Sequence, residues 1–351
     1  MFNFHLSSST LAALGAAALF GASTPFAKAL LGNVTPLLLA GLLYLGSGIG
    51  LALARTIRDR GWKTTGLAHY EWVWLLGAIG FGGVLAPTLL MIGLVKTTAA
   101  SASLLLNLEA VLTAVLAWVF FKESTDRRII TGMFLIVAGG IALSWPNQQT
   151  THNLLGTLAI AGACLCWAID NNLTRKISSA DSMAIAGSKG LISGIVNVSL
   201  ALVIGTKLPA WSQINYALLV GFFGYGVSLV LFVLALRGLG TARTGAYFSI
   251  APFIGAAIAI LFFHEPTTPL FWAAAVLMAI GVWIHLTENH EHVRTHEELY
   301  HDHSHSHDEH HQHGHDFPWN GKEPHTHPHQ HEHLTHSHHH YPDTNHRHKH
   351  K

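Results

Sequence analysis

What most constrains this chain is how far it runs without a charge. Seven stretches contain no Asp, Glu, Lys or Arg: Leu6–Ala27, Ala29–Ala54, Trp72–Val95, Ile129–Thr151, Leu208–Leu236, Thr244–Phe263 and Pro266–Thr287. Three more hold one ionisable residue each: Thr98–Phe121 with Glu109, Leu154–Leu173 with Asp170, and Ala184–Gly205 with Lys189. About 20 mostly apolar residues are enough for a helix to cross roughly 30 Å of hydrocarbon. Lipid offers no partner to free backbone groups, so helices are the expected form. The sequence therefore predicts an all-α membrane protein with ten transmembrane helices. Charged residues make up only 11% of the chain, against about 25% in soluble domains.

The first stretch is too long, and too poor in preceding Lys and Arg, for a cleaved signal peptide, and is read as a retained helix. One set of loops carries eleven basic residues: Arg55, Arg58, Arg60, Lys63, Lys122, Arg127, Arg128, Arg175, Lys176, Arg237 and Arg243. The alternate loops carry three, Lys28, Lys96 and Lys207. This bias places both termini in the cytoplasm of a multi-pass protein of the plasma (inner) membrane. Trp72, Trp145, Trp211 and Trp272 stand at span ends, as interfacial anchors do.

The ten spans fall into two halves of five. Phe120-Phe121-Lys122-Glu123 closes span four, and Phe262-Phe263-His264-Glu265 closes span nine, 142 positions later. At that offset Gly139 matches Gly281, and Ala99-Ala100 matches Thr241-Ala242. Gly46 and Gly50 of span two match Gly190 and Gly194 of span seven at an offset of 144, and paired glycines allow close helix approach. Because five is odd, the second half enters the membrane upside down. Such inverted repeats are a transporter architecture, with the substrate held near the midplane. The expected units are residues 6–146, 152–287 and a tail, 288–351.

The segments Ser103–Glu123, SLLLNLEAVLTAVLAWVFFKE, and Tyr247–Glu265, YFSIAPFIGAAIAILFFHE, resemble the paired signature of the drug/metabolite transporter superfamily, EamA type. The resemblance covers about residues 10–286. It implies a ten-helix secondary transporter of small polar metabolites, often an exporter, with a central cavity between the halves. Family members often carry Pro directly after the Glu of the NLE segment. Here that residue is Ala110, while the second half keeps Pro252, so the first half is expected to bend less at this point.

Ionisable groups inside a bilayer are costly and mark function by default. Glu109, near mid-depth, is a candidate to bind a proton, a cation or an amine; a structural bond, for example to Asn107 or to a facing helix, is the alternative. Asp170 and Lys189 lie some 7–9 Å below one interface, at about 1.5 Å per residue, on adjacent antiparallel helices. They form either an ion pair that locks this hairpin or a clamp that opens when the transporter switches state. Asn171, Asn172 and Asn197 add polarity nearby. Trp167, three positions before Asp170, shares its helical face and suits either packing or a cationic solute. Pro25, flanked by Ser23 and Thr24, is the preferred cavity-lining helix break; Pro87 and Pro252 are further intramembrane prolines. Cys164 and Cys166 are read as inert.

Of the 28 histidines, 23 fall from His290 onward. The candidate metal ligands are His301, His303, His305, His307, His310, His311, His313 and His315, then His325, His327, His329, His331 and His333, then His336, His338, His339 and His340. They alternate with Asp, Glu, Ser and Thr, in a segment with too few apolar residues to fold alone, so disorder is expected without metal. Neutral imidazole suits Zn, Ni, Co or Cu.

A net charge of +1 excludes a strongly basic nucleic-acid binder. No nucleophile–base pair or phosphate loop suggests an enzyme, and no cofactor is required. The expected partners are a small-molecule or ion substrate and the lipid bilayer, with a homodimer left open. The reading is a secondary transporter of small polar solutes working as an exporter, with a metal-binding regulatory tail. The rivals are a transition-metal transporter and a membrane-anchored metal sensor or store without transport.

Overall fold

Each long apolar stretch is helical in the computed structural model, which describes residues 8–61, 70–121, 127–145, 154–177, 181–286, 291–296, 299–305, 325–331 and 334–339. The helices are α1 (Ser8–Leu30), α2 (Pro36–Asp59), α3 (Glu71–Ala78), α4 (Ala86–Lys96), α5 (Ala99–Leu105), α6 (Leu108–Phe121), α7 (Arg127–Ser144), α8 (Leu154–Thr174), α9 (Ser182–Val203), α10 (Trp211–Gly221), α11 (Ser228–Phe248), α12 (Ala251–Phe263) and α13 (Pro269–Leu286). A π-helical turn, Ile79–Leu85, joins α3 to α4, and another, Phe222–Val227, joins α10 to α11. Among the described residues eight helical runs are long and apolar enough to cross a membrane, and α12 and Pro269–Ile284 are shorter apolar helices. The protein is a multi-pass membrane protein.

The eighth run behaves differently from the sequence expectation. The backbone stays helical from Ser228 to Phe248, with no loop near Arg237. Yet the rings of Phe232 and Phe248 stand 4.9 Å apart. In a straight helix sixteen residues would separate them by about 24 Å. α11 is therefore not a straight rod between these two rings.

Two other expectations concern helix breaks. α1 runs on as a helix through Pro25 and buries it, and Ser23 Oγ donates to Phe20 O at 2.6 Å. The first half carries a turn although its residue 110 is Ala. The chain turns at Leu106-Asn107 between α5 and α6, as it does at Ser249-Ile250 before α12, and Asn107 donates to Leu104 O at 2.9 Å across that turn.

Helix pairing follows the small residues. α2 lies along α9, and α7 along α13. α1 packs on α11 and α12, while α8 packs on α4 and α6. In the α2–α9 seam the close contact is Gly48 on Gly190: a Cβ on Gly190 would lie 2.6 Å from Gly48 N. Gly46 and Gly50, matched to Gly190 and Gly194 in sequence, instead admit Leu218 and Phe222. The sequence match located the small-residue helices but not which neighbour each glycine serves. The matched Gly139 and Gly281 do share one seam, facing Met278 and Gly132 respectively. Trp72, Trp145, Trp211 and Trp272 are solvent-accessible at helix ends.

The tail unit spans Asn289–Arg347. Its described residues pair as two antiparallel ribbons. β1 (Glu291–His296) pairs with β4 (Leu334–His339), and β2 (Leu299–His305) with β3 (His325–His331). Strict alternation of His with other residues is a period-two pattern, the period of a strand. His307, His310, His311, His313, His315, His333 and His340 lie outside the described residues.

Candidate functional site

The site begins with a helix that cannot close its own hydrogen bonds. In the π-turn between α3 and α4, Ala86 N–H donates to Phe81 O and so leaves Gly82 O. Pro87 has no N–H to offer Gly83 O, its helical partner four residues back. Two adjacent carbonyls are thus available inside the bundle, where an unpaired polar group is expensive. Neighbouring helices answer them. Tyr44 Oη of α2 donates to Gly82 O at 2.7 Å, Trp167 Nε1 of α8 donates to the same oxygen at 3.0 Å, and Asn197 Nδ2 of α9 donates to Gly83 O at 3.3 Å. The second π-turn, Phe222–Val227, is followed by no proline in α11. Only the first half carries this node in full.

Asp170 sits against the same turn. It is 3% exposed, its Oδ2 takes the Lys189 ammonium of α9, and its Oδ1 accepts from Thr174 Oγ1 at 3.0 Å. A Cβ on Gly82 would fall 1.9 Å from Asp170 Oδ2, so glycine there is what lets the carboxylate reach the turn. One residue on, Asn171 Nδ2 donates to Glu109 Oε1 of α6 at 2.8 Å. The sequence treated Glu109 and the Asp170–Lys189 pair as separate features. The structure joins them into one layer through Asn171. Tyr44 stacks at 5.4 Å on Tyr225, which meets Phe20 at 5.9 Å.

Not every candidate belongs to this layer. Asn107 serves the α5–α6 turn and makes no bond to Glu109. Pro25 is buried within α1, apart from this layer. Trp167 spends its N–H on the π-turn. Cys164 is buried and Cys166 half-buried, both as free thiols. Among the described residues no three His, Cys, Asp or Glu side chains converge on a metal position.

Sequence reasoning missed Tyr44, Gly82, Gly83 and Ser193. Two signals were present: Pro87 four residues after Gly83, and the polar spacing of Lys189, Ser193 and Asn197. It also missed the ties at the two ends of the bundle. At one end the Glu265 carboxylate accepts from Ala99 N and Ala100 N at 2.8 Å each, and Lys28 Nζ donates to Leu94 O. The matching Glu123 lies outside the described residues. At the other end Asp181, the N-cap of α9, accepts from Arg58 Nη2 at 2.6 Å and Arg55 Nε at 3.1 Å. Burial pushes the Asp181 carboxyl up, but Arg58, the Met183 N–H and Arg55 together hold it below the usual carboxylate range. A depressed carboxyl stays ionised above its unfolded value of about 3.9 and loses its partners only as pH falls further.

A bundle of apolar helices, with a buried ion pair beside a broken helix, defines a membrane protein built around a polar interior, the form a solute transporter takes. The chain belongs to the EamA-like transporter family, whose sequence pattern matches residues 7–145 and again 154–287. An uncharacterized transporter of Methanothermobacter thermautotrophicus is 28% identical over 284 residues, which cover 76% of this chain and 82% of that one. The threonine/homoserine exporter RhtA of Escherichia coli K12 is 29% identical over 164 residues, 46% of this chain and 54% of the exporter. A probable amino-acid metabolite efflux pump of the same strain is 24% identical over 285 residues, 72% of this chain and 86% of the pump. A solved crystal structure shares the fold, with a TM-score of 0.60 at 17% identity over 80% of this chain and 97% of that one.

Proposed function

We propose that this protein is a secondary transporter that exports small polar metabolites across the plasma membrane. Ten crossing legs form two inverted repeats, residues 6–146 and 152–287, with both termini in the cytoplasm. Asp170 and Lys189 act as the gate, and Glu109 as the coupling carboxylate. One observation carries the reading. Glu109, in the first matched segment, is bonded to Asn171 in the second, beside the buried Asp170–Lys189 pair. Any rocking of one half against the other must break that link, so substrate, coupling proton and conformation share one contact. The exchange symmetry of the packing supports the inverted repeat: α1 meets α11 and α12 as α8 meets α4 and α6. The named activities of the two Escherichia coli relatives favour export of amino-acid-like solutes over transport of metal ions.

The test is flux. Proteoliposomes holding the full chain, screened with an amino-acid and metabolite panel under a proton gradient, should accumulate at least one solute. Glu109→Gln keeps the size and the acceptor oxygen but cannot exchange a proton. It should reduce gradient-driven uptake at least tenfold while leaving solute counterflow within about twofold. Wild-type gradient-driven uptake in Glu109→Gln would remove the coupling role.

The tail supports a metal-responsive appendage. In the β2–β3 register His301, His303 and His305 stand opposite His329, His327 and His325. The β1–β4 ribbon has one such pair, His292 with His338. Histidines paired along a strand register in this way suit Zn, Ni, Co or Cu. Equilibrium dialysis against Ni²⁺ or Zn²⁺ should show several ions per full chain, lost when the chain is ended at residue 288. Basal flux should survive that truncation. Equal metal binding by both chains would end the reading, and flux lost with a folded body would make the tail part of the transport machinery.

A further inference from the structure

Lys189, Ser193 and Asn197 follow one another at four-residue spacing on α9. They line one face over about 12 Å, and that face meets the π-turn before α4. Lys189 reaches Asp170, a Cβ on Gly83 would lie 1.8 Å from Ser193 Oγ, and Asn197 Nδ2 donates to Gly83 O. Ser193 and Asn197 are both 0% exposed, yet Ser193 Oγ and Asn197 Oδ1 have no hydrogen-bond partner. The orientation of Asn197 is set by chemistry. Flipping the amide would turn its oxygen on Gly83 O, acceptor against acceptor. Oδ1 is therefore the atom left over. A buried unpaired polar atom is costly, and apolar side chains of similar size would remove the cost.

The chemistry of the surroundings names what these atoms await. The Gly82 and Gly83 carbonyls, Asn197 Oδ1 and the Asp170 carboxylate are all acceptors, and Ser193 can accept as well. The one cationic group facing them from α9 is Lys189; Tyr44 and Trp167 already give their protons to Gly82 O. An anion or a neutral hydroxyl acceptor would be repelled here, whereas a protonated amine has three donors and the right charge. We propose that Ser193 and Asn197, with the π-turn carbonyls, form an ammonium subsite. A zwitterionic solute enters it with its amine on Asp170, Ser193 and Asn197, while its carboxylate takes the Lys189 ammonium. The exchange keeps the buried charge balanced, since one internal ion pair is replaced by two across a net-neutral solute. In the present structure Ser193 is in contact with the turn, so the subsite opens as α9 draws back from it. This inference rests on the transporter reading above and narrows its substrate class to amino-acid-like zwitterions.

The test uses the full chain in proteoliposomes and three probes of one carbon skeleton: an α-amino acid that the wild type transports, its N-acetyl derivative and its decarboxylated amine. Ser193→Ala and Asn197→Leu, each checked for a wild-type melting temperature, should raise the amino acid's KM at least tenfold with a smaller change in kcat. Asn197→Asp, which adds an anionic acceptor, should favour the decarboxylated amine. Inhibition by the N-acetyl derivative should change less than twofold in any variant. If Asn197→Leu does not fold, Ser193→Ala and Asn197→Asp decide alone. Equal losses for the amino acid and its N-acetyl derivative, or no loss for either, overturn the subsite. So does an Asn197 effect that vanishes when choline replaces sodium, because the oxygens would then hold a coupling ion. Wild-type protein that carries organic acids but no amino acid overturns the zwitterion assignment and leaves transport intact. Protein inert to every polar solute overturns the transporter reading beneath it.

Discussion

Asp170→Asn is expected to lower flux at least a hundredfold and to destabilise the purified protein, and Lys189→Met to do the same. Both groups of the pair are largely shielded, with side-chain exposures of 4% and 16%. Removing one partner leaves the other charge among apolar helices, a loss of about 3–5 kcal/mol, and each 1.4 kcal/mol is about tenfold in an equilibrium. Two double variants separate a lock from a gate. Asp170→Leu with Lys189→Met removes both charges, and replacing a buried pair by apolar groups is often neutral or stabilising. It should restore the melting temperature and leave flux abolished. Asp170→Lys with Lys189→Asp keeps the attraction but reverses its sense. It should recover stability in part, since the longer ammonium must then fit against Gly82. Flux restored by the apolar double variant would make the pair a lock alone. Failure of both double variants to recover stability would mean that the two residues do not act as a pair.

Much of this architecture is written in the one-dimensional pattern. Charge-free runs locate the helices because the bilayer penalises charge more strongly than any local preference opposes it. The single ionisable residues in three of those runs point at the polar layer for the same reason. The ion pair follows from depth arithmetic, since Asp170 and Lys189 lie equally far from one interface on consecutive antiparallel helices. What is not legible is which face each helix turns to which neighbour. Gly46 and Gly50 match Gly190 and Gly194 of α9 in sequence, yet they admit α10 and its π-turn. Asn107 and a facing helix both read as partners for Glu109; Asn107 bonds within its own turn, and Asn171 of the facing α8 takes that place. Pro25 reads as the preferred break, yet only Pro87 sits one turn beyond a pair of glycines, where a missing N–H coincides with a π-turn. The difference depends on the backbone around the proline and not on the proline itself. The tail shows the converse: its period-two histidine phase is plain in the sequence, but composition alone argues against any fixed backbone.

Gly82→Ala should be as damaging as the loss of Asp170, although it removes no functional group. The added methyl would lie 1.9 Å from Asp170 Oδ2 and 2.2 Å from its Cγ, where carbon contacts settle near 3.5–4.0 Å. Relief by rotating Asp170 breaks its bonds to Lys189 and Thr174. Relief by moving the turn is opposed by Tyr44 and Trp167, which hold Gly82 O from two further helices. Overpacking costs about 1–3 kcal/mol, and the severed pair adds its own penalty. Gly83→Ala meets Ser193 Oγ at 1.8 Å and should behave in the same way. Gly80, in the same π-turn, has open space where a Cβ would go. Gly80→Ala should therefore leave flux unchanged and keep or slightly raise the melting temperature, since alanine in place of a helical glycine contributes about 0.5–1 kcal/mol. The three variants differ by one methyl group at three positions of a seven-residue turn. Thermal unfolding and flux measured side by side will show whether damage tracks the contacts or the backbone. If Gly80→Ala is as harmful as Gly82→Ala, the turn itself is the sensitive element, and the carboxylate lodged against it is incidental.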